Sequence, residues 1–220
     1  MPDLPDFDAM ILDMDGLVLD TESTYFLAWQ RAATDMGYRL SDAFCLTLSG
    51  LHYQAVEQKL QALCGADFNL SEFNQRSADL WRQYVNANGI PIKKGFHQLL
   101  DQLVKHKKPY ALATNSRAVN AYECLELAGI KNVFATIVTR DHVLQGKPEP
   151  DVFIKAAELL NVDIRRCLVI EDSHAGIAAA AGAGAFSVFI PSLWPVEQRT
   201  VDLCDVMMHD LSQLAETLAV

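Results

Sequence analysis

The sequence has no concentration of basic residues, no paired cysteines and no leader-like N-terminus, and each absence removes a class of function. Its 18 Lys and Arg are scattered among 28 Asp and Glu, for a net charge of −10. Nucleic acid and anionic membrane are bound largely through clustered Lys and Arg, so both are disfavoured as partners. A small anionic substrate is not, because a metal and a few local donors reverse the potential inside a pocket. The five cysteines, Cys45, Cys64, Cys124, Cys167 and Cys204, are odd in number and form no C-x-x-C pair, which argues against a disulfide framework and a zinc site. Reduced thiols in a cytoplasmic protein are the expectation. Met1-Pro-Asp-Leu-Pro-Asp carries acids where an export signal carries positive charge ahead of an apolar run. No internal repeat or low-complexity segment is visible.

Charge is also missing from Ser173 to Val196, a stretch without Lys, Arg, Asp or Glu that is long enough to suggest a membrane span. Its Ala and Gly content, with His174, Pro191, Ser192 and Pro195 inside it, instead predicts a helix packed closely on a buried strand. No obvious exposed apolar stripe appears, and a monomer is expected.

What is present suits a packed globular protein: 220 residues, 50% of them hydrophobic and 21% charged. Short apolar runs predict buried strands at Ala9 to Leu12, Tyr110 to Ala113, Phe134 to Val138, Cys167 to Ile170, Phe186 to Ile190 and Val206 to Met208. Three- and four-residue spacing predicts helices at Gly95 to Lys107, Val119 to Ala128, Asp151 to Leu160 and His174 to Ala181. Strand and helix alternate as in a doubly wound parallel α/β sheet. Between Thr21 and about Asn88 the patterns are helical only, at Tyr25 to Met36, Tyr53 to Leu63 and Ser71 to Asn86. The expected organisation is an α/β core of residues 1–20 and 89–220 with an all-helical domain, 21–88, inserted after the first strand on two linkers that permit hinge movement.

Chemistry-bearing residues fall where predicted strands end, the usual ligand crevice of such a sheet. The first strand runs into Asp13-Met14-Asp15-Gly16, two carboxylates that can hold a divalent cation, or divide labour between attack and proton transfer. A calcium loop fails because Leu17 and Val18 occupy the next ligand position and the required glycine, while a surface turn stays open. The second strand runs into Thr114-Asn115-Ser116, donors for phosphoryl oxygens or, equally, caps of the next helix. Gly146-Lys147-Pro148-Glu149-Pro150-Asp151 sets a lysine between backbone-fixing residues, either as a placed cation or as an ordinary turn lysine. Glu171-Asp172-Ser173 ends an apolar strand with two acids that suit Mg²⁺, or that cap the helix behind them.

In order and spacing, Asp13-x-Asp15-Gly16, Thr114, Lys147 and Glu171-Asp172 resemble the four motifs of the haloacid dehalogenase-like superfamily, over nearly the whole chain. The helical insert after the first motif is similar to the cap of the subclass that includes β-phosphoglucomutase and many sugar- and nucleotide-monophosphate phosphatases. The resemblance implies the superfamily's Rossmannoid core with a helical cap. It implies Asp13 as nucleophile, Asp15 as acid and then base, and Mg²⁺ on Asp13, the Asp15 main-chain oxygen, Asp172 and the neighbourhood of Glu171. Thr114, Lys147, Asn115 and Gly16 would then surround the transferring phosphoryl group. Asp15 is absent from dehalogenases of the superfamily and so argues for phosphoryl transfer. The segment Leu48-Ser49-Gly50-Leu51-His52-Tyr53-Gln54 lacks the basic residues with which β-phosphoglucomutase grips a second phosphate, which favours hydrolysis over a phosphomutase alternative. His52, Tyr53 and Gln54 either offer hydrogen bonds to a small phosphorylated substrate or are a solvated helix start. Tyr25 and Trp29, one helical turn apart, are better read as packing than as pocket.

Overall fold

In the computed structural model, which describes residues 4–48 and 53–219, the chain forms two compact units. One comprises Met1–Asp20 and Pro91–Val220, the other Thr21–Ile90. The first strand, β1 (Ala9–Leu12), is buried at every position, as its unbroken apolar run requires of a strand covered on both faces. The chain then leaves the sheet for the helical unit: α1 (Thr21–Asp35), α2 (Asp42–Leu46), α3 (Tyr53–Cys64) and α4 (Leu70–Asn88). Ser41 caps α2 and Asn69 caps α4, each side chain accepting an N–H of the first turn. That unit has its own apolar centre, with Ala32, Leu40, Cys45, Leu60, Phe68 and Phe73 buried together. Tyr25 stacks on Trp81 at 5.0 Å between ring centroids, and Trp81 donates to Thr24 Oγ1 at 3.0 Å, so these aromatics pack within the unit.

The α/β rhythm resumes with α5 (Phe96–Lys105), β2 (Tyr110–Ala113), α6 (Ala118–Leu127) and β3 (Ile137–Val138). It continues through α7 (Asp151–Leu160), β4 (Cys167–Glu171), α8 (His174–Ala183), β5 (Phe186–Phe189), α9 (Gln198–Leu203), β6 (Val206–Met207) and α10 (Leu211–Leu218). The sheet is six-stranded and parallel, in the order β3-β2-β1-β4-β5-β6, a doubly wound arrangement with β1 at its centre. The uncharged stretch from Ser173 onward resolves into α8 and β5. Alanines on α8 are buried against the sheet, where small side chains allow close approach. Among the described residues no helix is long and apolar enough to cross a membrane.

The third strand is shorter than its apolar run. Phe134 is buried by its ring, edge-on to Tyr110 at 5.7 Å and near Phe96, while its backbone lies outside the ladder. Burial by an aromatic side chain and burial by strand pairing leave the same sign in sequence. The short helices α2, α9 and α10 carry too few turns for a clear period, and α1 begins four residues ahead of the Tyr25 at which its pattern becomes legible.

Candidate active site

Register brings three strand ends into one row. Leu12 pairs with Leu112 on one side and Ile170 on the other, so the next positions, Ala113, Asp13 and Glu171, lie side by side across β2, β1 and β4. Lys147 comes from the loop before α7 and meets all three. Its Nζ donates to Asp13 Oδ1 in a short ion pair, to Glu171 Oε1 at 2.6 Å and to the Ala113 carbonyl at 2.9 Å. The ammonium also stands 4.8 Å from the centroid of the Phe153 ring. With its side chain only 4% exposed, Lys147 is a buried cation whose donors are directed at protein acceptors.

The charges set one another's proton affinity. Burial pushes the Asp13 carboxyl well above the usual range; the Lys147 ammonium opposes this, and Glu171 and Asp15 add to it. Burial also pulls Lys147 down, but Asp13 and Glu171 outweigh it and hold the ammonium above its ordinary value. Lys147 therefore stays charged and works against the burial that disfavours ionisation of Asp13.

Glu171 is held at both oxygens. While Oε1 takes Lys147, Oε2 accepts the N–H of Asp172 at 3.0 Å, the N–H of Ser173 at 3.2 Å and the Ser173 hydroxyl at 3.0 Å. Ser173 in turn caps α8 by accepting from Gly176 N at 3.0 Å. Carboxylate oxygens of Asp13, Glu171 and Asp172 all lie within 4.8 Å of one another. Three hard oxygen donors at that spacing form a cluster fit for a small divalent cation.

Asp15 is bonded to the segment that follows β2. Its Oδ2 accepts from Ser116 Oγ at 2.7 Å and Thr114 Oγ1 at 3.3 Å, and the Ser116 N–H returns to Thr114 Oγ1 at 2.9 Å. Gly16 adopts φ +86, and a Cβ there would overlap the Asp172 carboxylate, so this turn position requires glycine both for its backbone and for its space. Its N–H donates to the Leu19 carbonyl at 2.8 Å. Asn115 turns its amide toward the Lys147 main chain, accepting that N–H at 2.8 Å and donating to that carbonyl at 3.0 Å.

The structure thus gathers Asp13, Asp15, Gly16, Thr114, Asn115, Lys147, Glu171 and Asp172 at the carboxyl ends of the central strands. The side-chain bonds of Asn115 are to the Lys147 main chain and the Gly16 N–H bond is to Leu19. His52 lies outside the described residues; Tyr53 begins α3, and Gln54 is exposed in its first turn. Ser116, expected as a phosphoryl donor or a helix cap, bonds Asp15, and Ser173, expected as a helix cap, also donates to Glu171; a serine after a strand carries the same signal in each role.

Comparison with known proteins agrees with this geometry. The profile of the family described as haloacid dehalogenase-like hydrolase matches residues 10–190. The chain is 28% identical to the β-phosphoglucomutase of Bacillus subtilis (strain 168), over 92% of this chain and 94% of that protein. It is 30% identical to the fructose-1-phosphate phosphatase YqaB of Escherichia coli (strain K12), over 81% of this chain and 94% of that one. Among solved structures, one described as a putative β-phosphoglucomutase from Thermotoga maritima superposes with a TM-score of 0.82 at 25% identity, covering 96% of this chain and 98% of the other.

Proposed function

The chain belongs to the haloacid dehalogenase-like hydrolase family, and on that premise we propose that it is a Mg²⁺-dependent phosphatase acting on a small phosphorylated metabolite, a sugar phosphate or nucleotide-like monoester, through an aspartyl-phosphate on Asp13. The observation that carries this reading is the row Ala113, Asp13, Glu171 capped by one buried ammonium, with Asp172 beside it. A buried carboxylate flanked by a fixed cation and two further acids suits attack on an anionic centre, and relatives named as phosphatases of phosphorylated sugars point to the same chemistry.

The residues fit a magnesium ion: Asp13, Asp172 and the Asp15 main-chain oxygen would hold it, with Glu171, already engaged at both oxygens, fixing Lys147 and the Asp172 backbone. When bound, the ion supplies positive charge against the phosphoryl oxygens and the Asp13 carboxylate. Asp13 attacks phosphorus; the bond from phosphorus to the leaving oxygen breaks, and Asp15 gives that oxygen its proton. Asp15, now a carboxylate, takes a proton from water, which attacks the aspartyl-phosphate, releases inorganic phosphate and restores Asp13. Lys147 and Thr114 hold the transferring group, and the Ser116 and Thr114 hydroxyls orient Asp15 between its two tasks. His52, Tyr53 and Gln54 are the residues proposed to offer hydrogen bonds to the remainder of the substrate.

Phosphomutase activity is the alternative, favoured by the names of relatives. Against it stands the absence of Lys and Arg from residues 48–54, since a mutase must retain a doubly anionic intermediate. Phosphate release is measured on sugar phosphates, nucleotides and phosphorylated acids, with Mg²⁺ and with EDTA. Metal-dependent release that Asp13→Asn abolishes without lowering thermal stability is expected. Substantial release by that variant removes Asp13 from its role, and bisphosphate-primed isomer interconversion with little free phosphate replaces the phosphatase by the mutase.

A further inference from the structure

We propose that Asn115 is a positioning residue for Lys147, a two-point clamp that sets where the main chain stands from which the ammonium reaches Asp13 and Glu171. Its placement is a matter of geometry; its kinetic consequence rests on the phosphatase reading.

Lys147 is carried on a connection that has no ladder to fix it. Between β3 and α7 the chain makes a short 3₁₀ turn, Arg140–His142, and then runs irregularly to Asp151. A lysine side chain is long and rich in rotamers, so delivering its Nζ to three acceptors depends on where its Cα is held. Asn115 holds it from the tip of β2. One amide satisfies both main-chain groups of one residue, Oδ1 accepting the Lys147 N–H at 2.8 Å and Nδ2 donating to the Lys147 carbonyl at 3.0 Å. The pattern replaces two rungs of a strand pairing, and asparagine supplies it because it alone at that length presents an acceptor and a donor in one plane.

The surroundings are built to the same fit. The Arg140 N–H donates to the Ser116 carbonyl at 3.0 Å, so the β3–α7 connection is tied to Asn115's own neighbour at its start and to Asn115 near its end. The Arg140 guanidinium then bonds the Val143 and Leu144 carbonyls at 2.9 and 3.0 Å. A Cβ on Gly146 would overlap Asn115 Oδ1 and come within 2.7 Å of Arg140 Cδ. The side chain of Asn115 is thereby committed to the loop, and its effect on a phosphoryl group passes through Lys147. Shifts on the order of 1 Å at a positioned group cost about 100-fold in rate, which makes this clamp important despite its exposure.

The test combines Asn115→Ala, Lys147→Ala and the double variant, with turnover of p-nitrophenyl phosphate, thermal unfolding, and acylation of Lys147 read by peptide mass spectrometry. Asn115→Ala is expected to lower kcat about 10- to 100-fold while unfolding within a few degrees of wild type, and to have no further effect once Lys147 is Ala. Acylation of Lys147, suppressed in the wild type, rises severalfold in Asn115→Ala and less in Asn115→Asp, which keeps the acceptor and loses the donor. Multiplicative losses in the double variant would mean that Asn115 meets the substrate directly and overturn the clamp. So would a Lys147 that stays equally shielded in Asn115→Ala, a result readable even if Lys147→Ala does not fold. Should the wild type release phosphate from no ester, the phosphatase reading fails and the acylation result still decides the clamp.

Discussion

Gly176→Ala sets helix propensity against the most crowded point of the site. Alanine inside a helix is favoured over glycine by about 1 kcal/mol. At position 176, however, the added methyl overlaps the Glu171 carboxyl carbon and both its oxygens. An exposed glutamate would swing aside. Glu171 is fully buried, with Oε1 bonded to Lys147 at 2.6 Å and Oε2 taking three donors, so moving it breaks the buried ion pair and strips the acceptor from the donors at Asp172 and Ser173 together. Overpacking costs about 1–3 kcal/mol and breaking a buried pair about 3–5 kcal/mol, two faces of one displacement and not separate sums. The expected net loss is about 2–5 kcal/mol, or about 5–15 °C in melting temperature for a chain of this size. Gly182 in the same helix is the matched control: a Cβ there meets only Pro150, at 3.8–3.9 Å. Gly182→Ala is expected to raise the melting temperature by about 1–4 °C. Circular dichroism melts of the two variants, with Mg²⁺ titration by calorimetry, test the contrast. If Gly176→Ala melts at or above wild type and binds Mg²⁺ normally, Glu171 is not the rigid support described.

Thr24→Val is nearly isosteric and leaves the Trp81 indole N–H without its 3.0 Å acceptor. A loss of about 1–3 kcal/mol in urea unfolding is expected, and an unchanged midpoint would show that another acceptor takes its place. The thiols give a pH-dependent prediction. Burial is the main cause raising Cys45 and Cys167 to about 11 and Cys124 to about 12. Because thiolate is the nucleophile, these remain protonated and inert at pH 8 and gain reactivity only as pH climbs toward those values. Iodoacetamide at pH 8 should label the partly exposed Cys64 and Cys204 first, and rapid labelling of Cys124 in the folded protein would contradict its burial.

Several features of the fold were legible without coordinates because they are local. An apolar run such as Ala9 to Leu12 or Cys167 to Ile170, bounded by polar residues and alternating with helical periods, has few compact solutions other than a parallel sheet covered on both sides. Its chemistry-bearing residues stand out for the same reason: Asp13, Thr114 and Glu171 each interrupt an apolar run at its carboxyl end. Local pattern failed where two causes share one signature, as with Phe134, buried by its ring and not by pairing, and with Ser116 and Ser173, which look like helix caps and also hold Asp15 and Glu171.

Sequence by itself determined the sheet, the inserted helical unit and the neighbourhood of each acid, since these follow from periodicity and from residues adjacent in the chain. Only tertiary structure decided that Lys147 spans Asp13, Ala113 and Glu171, that Asn115 grips the Lys147 backbone, and that Gly176 exists to leave room for Glu171. Those relations join positions from 5 to 134 residues apart, and they are set by strand register and close packing, which no property of a single segment encodes.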